Sequence, residues 1–128
     1  MSGVPTLEKF RQRLERGVND YRIKGGRLHE IVQGQFAELG TFCEAMAATA
    51  RRMLRSDCRV DREVMPYSLD TDSFMVRHRF YRDDAHTDID VTFSGAHMTF
   101  NGQQHSLSDY FAVQELIADE VLSFYLPR

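Results

Sequence analysis

A chain of 128 residues with 42% hydrophobic and 27% charged side chains has the size and composition of one globular domain, which excludes a two-lobed cofactor enzyme, a disordered polyelectrolyte and a membrane-spanning bundle. Its formal charge of -3 provides no overall field toward nucleic acid or anionic lipid. That charge is unevenly placed, because residues 1–62 carry 12 basic and 8 acidic side chains whereas residues 63–128 carry 4 and 11.

Thr6 is a candidate cap for a first helix whose Leu7, Phe10, Leu14, Val18 and Tyr21 recur at spacings of three and four, forming a narrow stripe. Gly25-Gly26 is read as an interruption, followed by a longer helix from Arg27 to about Arg55 with Leu28, Val32, Phe36, Leu39, Phe42, Cys43, Met46, Ala50 and Met53 on a broad apolar arc. The two together are expected to form a helical hairpin over about residues 6–55. Gly34 and Gly40 lie inside the second helix, where each costs about 1 kcal/mol relative to alanine. Arg51, Arg52 and Arg55 crowd its final turns, where cations complement the negative end of the helix dipole.

Residues 58–66 read as loop or edge strand, with Pro66 barring any central position in a sheet. The period then changes to two: Phe74, Val76, His78 and Phe80 alternate with polar residues, as do Ile89, Val91 and Phe93. A turn at Asp83 to His86 sets Phe80 opposite Ile89, His78 opposite Val91 and Val76 opposite Phe93, with Arg79 opposite Asp90 on the other face. Ser94-Gly95-Ala96-His97 is a two-residue hairpin signal that matches Phe93 to Met98 and Val91 to Phe100. Asn101-Gly102 is another tight-turn signal, opening a segment that can extend the sheet. A final helix, over about 107–126, is capped by Ser106 or Ser108 and carries Tyr110, Val113, Ile117, Val121 and Phe124 on one side. Its apolar arc is wide enough to make it the more buried helix. The predicted fold class is α+β: a helical hairpin, an antiparallel meander of three to four strands over about 73–101, and a C-terminal helix on one sheet face, all in one domain.

Chemistry-bearing residues are few. General acid–base catalysis needs an imidazole held beside its proton donor or acceptor, for which His78, His97 and His105 are the candidates, and His78, which points inward on its strand, is the foremost of them. His86, Asp88 and Asp90 share a strand face at a spacing that can present an imidazole and two carboxylates to a metal ion. A polar outer sheet face with cross-strand ion pairs explains the same pattern. Lys9, Arg13 and Arg16 share a helix face and, with Arg51, Arg52 and Arg55, are the candidate partner-binding cations. Interleaved Glu8, Glu15 and Asp20 argue against a phosphate-tracking surface. No motif implies a cofactor.

Two cysteines, Cys43 and Cys58, are too few for a disulfide scaffold. The N-terminal residues lack the apolar stretch of a signal peptide, so a cytoplasmic location is expected. Arginine outnumbers lysine 14 to 2, a bias that fits a GC-rich bacterial genome. In size, acidity and mixed α+β content the chain resembles the small acidic chaperones of bacterial secretion systems. Those open on a single helix and interrupt their sheet with another, whereas a hairpin and an uninterrupted meander are expected here, and the family is not assigned.

The surplus of apolar helix surface points to a non-enzymatic protein-binding or accessory module acting as a homodimer. The alternative is a small-ligand or metal-dependent enzyme using a pocket between sheet and helices. Nucleic-acid binding by the N-terminal arginines is third, and it predicts affinity that falls steeply with salt.

Overall fold

The computed structural model describes residues 3–127. Apolar residues at intervals of three and four keep phase from Leu7 to Met53, and the chain obeys them with one unbroken 52-residue helix, α1 (Gly3–Leu54). At about 1.5 Å per residue it spans roughly 78 Å. The expected hairpin is therefore not formed. The helix begins before Thr6, and Gly25-Gly26 continues it. The physical reason lies in the phase itself: Tyr21, Gly25 and Leu28 follow one another at four and three, so the pair leaves the stripe in register. Gly25 also has a packing role, since a Cβ there would lie 3.2 Å from the ring of Tyr67. That close approach offsets the roughly 1 kcal/mol that glycine costs within a helix.

The chain leaves α1 at Arg55, which takes a left-handed φ of 54°, and enters a five-stranded antiparallel meander. Its strands are β1 (Cys58–Val64), β2 (Ser73–Arg82), β3 (Ala85–Ser94), β4 (His97–Phe100) and β5 (Gln103–Ser106), lying side by side in sequence order. The segment before Pro66 is thus an edge strand, paired with β2 along its length from Cys58↔Arg82 to Val64↔Val76. The fifth strand lies beyond the three or four expected.

The β2–β3 hairpin is tighter than the sequence suggested. Its loop is Asp83-Asp84, with Arg82 opposite Ala85. Asp83 adopts a φ of 52° and is pinned to Asp57 by two hydrogen bonds, one from its own N–H and one into its Oδ1. The register consequently moves by two residues: Phe80 faces Thr87, His78 faces Ile89, Val76 faces Val91 and Phe74 faces Phe93. A shift of two leaves every side chain on its expected face while exchanging its partner, so Arg79 meets Asp88 and Arg77 meets Asp90. The next two turns follow the sequence signals. Gly95 has a φ of 56° and Phe93 faces Met98, while Asn101 and Gly102 both adopt positive φ and set Phe100 opposite Gln103.

Ser106 then caps a 3-10 turn (Leu107–Asp109), its hydroxyl accepting from the Ser108 N–H, and α2 (Tyr110–Tyr125) follows. Both helices pack on one face of the sheet. The core is formed by Leu28, Val32, Leu39 and Cys43 of α1, by the inward residues of β1 to β4, and by Tyr110, Val113, Ile117, Val121 and Tyr125 of α2. Arg62 of β1 reaches across α1, its guanidinium 3.7 Å from the centre of the Phe36 ring, with Nη1 3.1 Å from the place a Cβ on Gly40 would take. The α+β class and the placement of the C-terminal helix are as the sequence implied. The balance of burial is different: Phe111, Leu116, Leu122 and Leu126 leave much of the apolar arc of α2 in water.

Candidate interaction surface

Sheet and α2 cover only the C-terminal part of α1. Contact with the body reaches back to Tyr67, which packs on Gly25 and meets Tyr21 edge-on at 5.4 Å between ring centres. Beyond that point the helix projects as an arm over residues 5–22. On a helix advancing about 100° per residue, Leu7 and Cys43 have the same azimuth, as do Leu14 and Ala50, or Val18 and Leu54. The arm thus continues the stripe that builds the core, with none of the described residues over it. Leu7, Phe10, Leu14 and Val18 are between 53% and 66% exposed, whereas Leu39 and Cys43 on the same stripe are closed to solvent.

The arm holds its helical form through local interactions. Arg11 bridges Glu8 and Glu15, with a distance of 2.8 Å to the latter, the i,i+3 and i,i+4 spacing that stabilises exposed helices by a few tenths of a kcal/mol per pair. Lys9, Arg13 and Arg16 are exposed along a flank of the stripe. Arg51, Arg52 and Arg55 stand at the other end of α1, about 50 Å or more away along the axis. There Arg51 donates a 3.3 Å hydrogen bond to the Cys58 carbonyl. The six candidate cations therefore form two clusters, one at each end of the helix.

A second apolar feature lies beside the C-terminal cluster. A groove of about 440 Å³ runs between the end of α1 and α2, lined by Phe42, Met46 and Met53 on one side and Ala118, Leu122 and Leu126 on the other. Met53, Leu122 and Leu126 are more than half exposed. Glu115 and Asp119 stand exposed on α2, and their helical positions adjoin Phe111, Ala118 and Leu122 on the groove side. The groove was not foreseen as a site. The sequence signal for it was the excess width of the apolar arcs on both helices, while the packing that leaves a channel between them is tertiary.

The catalytic and metal candidates have different surroundings. His78 is only 2% exposed, and neither ring nitrogen has a hydrogen-bond partner among the described residues. Burial, with the nearby Arg62 charge, pushes its pKa down to about 4, so the ring is a neutral member of the core. Asp88 receives two hydrogen bonds from Arg79, at 2.7 and 3.0 Å, and Asp90 two from Arg77, at 2.9 and 3.1 Å. Those guanidiniums hold the Asp88 carboxyl below its ordinary pKa. His86 pairs across the hairpin with Tyr81, ring centres 5.9 Å apart. No group of three or more His, Cys, Asp or Glu side chains disposed to hold a metal ion occurs among the described residues. The Cys43 thiol is pushed up to about 12 by burial, which keeps it protonated and unreactive. No described helix is long and apolar enough to cross a membrane.

Compared with known protein families, curated proteins and solved structures, the chain matches none.

Proposed function

We propose that the chain is a protein-binding module whose working element is the projecting arm of α1. The observation that carries this reading is the row Leu7, Phe10, Leu14 and Val18, exposed on a helix whose other end uses the same stripe to build the core. Single exposed leucines are ordinary, but a contiguous apolar row is the mark of a covered surface. Burying one such side chain contributes about 1.5–3 kcal/mol, so occupation of the row supplies enough free energy for specific association. Flanking Lys9, Arg13 and Arg16 favour a partner surface with acidic character. Catalysis is the less favoured reading, since His78 is enclosed without a proton partner and Asp88 and Asp90 are engaged by arginines.

The test is photo-crosslinking in the source cell with a benzophenone amino acid at Phe10 or Leu14, and with Tyr81 on the charged outer sheet face as control. Protein adducts at the arm positions, absent from the control, are the expected outcome. Adducts to nucleic acid, or none above the control, overturn the reading.

A further inference from the structure

We propose that the arm is covered by a second copy of this chain, in a two-fold dimer whose α1 helices run antiparallel and meet at Ile31, each arm lying in the groove of the other subunit. The inference rests on the protein-binding reading and names the partner. Its starting point is the spacing of apolar residues along α1, which steps by three and four. The series includes Leu14, Val18 and Tyr21 in the arm and Phe42, Met46 and Met53 in the groove. A seven-residue repeat on an α-helix drifts by about 20° per heptad. Over the roughly five heptads from arm to groove the seam therefore turns by about 100°, away from the sheet and onto the open channel beside α2. Between arm and groove the stripe residues Leu28, Val32 and Leu39 are buried in the core of their own subunit, so the two helices touch there through the flank that bears Ile31.

The register follows from the ends. Placing Leu7 opposite the partner's Met53 sets Leu14 opposite Met46 and Val18 opposite Phe42, so these three exposed arm residues each meet a groove residue. The flank beside this seam is self-complementary in the same register. Lys24 comes within two residues of the level of Glu38, Gly17 of Ala45, and Ile31 of its own symmetry copy. Lys24 and Glu38 are both exposed, and neither has an ion-pair partner among the described residues. Ile31 is 50% exposed although it borders the body of the protein. A two-fold axis through Ile31 uses both arms and both grooves at once, closing the assembly at two subunits. The arm and α2 also differ in charge: residues 5–24 carry six basic and three acidic side chains, whereas residues 109–127 carry four acidic and no basic ones.

Sedimentation velocity on the full chain, with charge-reversal variants, tests the register. Lys24→Glu and Glu38→Lys each create two like-charge contacts per dimer and are expected to weaken self-association about tenfold. Mixing the two variants, or combining both substitutions in one chain, restores it. Ile31→Cys is expected to form an intersubunit disulfide under mild oxidation, while Gln33→Cys, on the opposite flank of the helix, stays reduced. The native thiols do not compete, as Cys43 and Cys58 are fully buried. A monomer at all concentrations, a dimer indifferent to both charge reversals, or equal cross-linking at positions 31 and 33 overturns the proposal. If the chain is monomeric while photo-adducts at Phe10 contain a different protein, the interaction reading stands and the second copy is excluded. If both experiments fail, both readings fall.

Discussion

His78 stands on the inward face of β2 between Val76 and Phe80, neutral and without a hydrogen-bond partner among the described residues, in a position that a hydrocarbon would fill more comfortably. Its pKa lies near 4 in the folded chain against 6.5 for the free side chain, so the unfolded state binds a proton that the folded state refuses. Stability is therefore unaffected above about pH 6.5. It falls as the pH drops from there toward 4, by up to roughly 1.4 kcal/mol per pH unit, and levels off below. Denaturant titrations at pH 7 and pH 5 are expected to show this loss, and His78→Leu to remove most of it. Glycine supplies a second test at the same scale. Gly26 and Gly34 meet nothing where a Cβ would project, and replacing either by alanine is expected to stabilise the fold by about 0.5–1 kcal/mol. Gly25→Ala places a methyl against Tyr67, and a thermal melt should show that the gain is reduced or reversed there.

The element that organises the molecule is α1, and its two halves perform different work with one pattern. Leu39 and Leu14 occupy nearly the same azimuth, but only Leu39 has the sheet against it. Leu39→Ala is expected to cost about 2–5 kcal/mol in unfolding free energy. Leu14→Ala is expected to change subunit unfolding by under about 0.5 kcal/mol while weakening association. Equal losses on unfolding of the monomer would mean that the arm is covered within its own subunit. The paired arginines and aspartates of β2 and β3 act at this scale too. They satisfy the outer face of the hairpin. Being partly exposed, each pair contributes about 1 kcal/mol or less.

For the whole molecule the architecture is a two-layer body with a long lever attached. A helix segment the length of the arm is marginally stable alone in water, so its backbone amides are expected to exchange faster than those of residues 28–50. Hydrogen exchange across a concentration series measures what covers it. If the second copy docks as proposed, protection rises with concentration at residues 7–21 and at the groove together. Protection confined to one of the two would exclude the reciprocal arrangement.

Much of this was legible in the chain. The period of two over 74–80 and 89–93 and the glycine turns determined an antiparallel sheet, because face selection and turn chemistry are local properties, whereas residues 58–66 read equally as loop or edge strand and only their pairing with β2 decided between the two. The intervals of three and four between Leu7 and Met53 determined the helices and their apolar faces. The same intervals contained the argument against a hairpin, since their phase passes through Gly25-Gly26 intact. The two-residue register of the hairpin was a tertiary decision, as shifts of two leave the hydrophobic pattern unchanged and only the contact of Asp83 with Asp57 distinguishes them. So was the division of α1 into buried and bare halves. A stripe records that a surface is apolar, but how far a neighbouring sheet extends along it depends on where β1, Tyr67 and α2 come to rest.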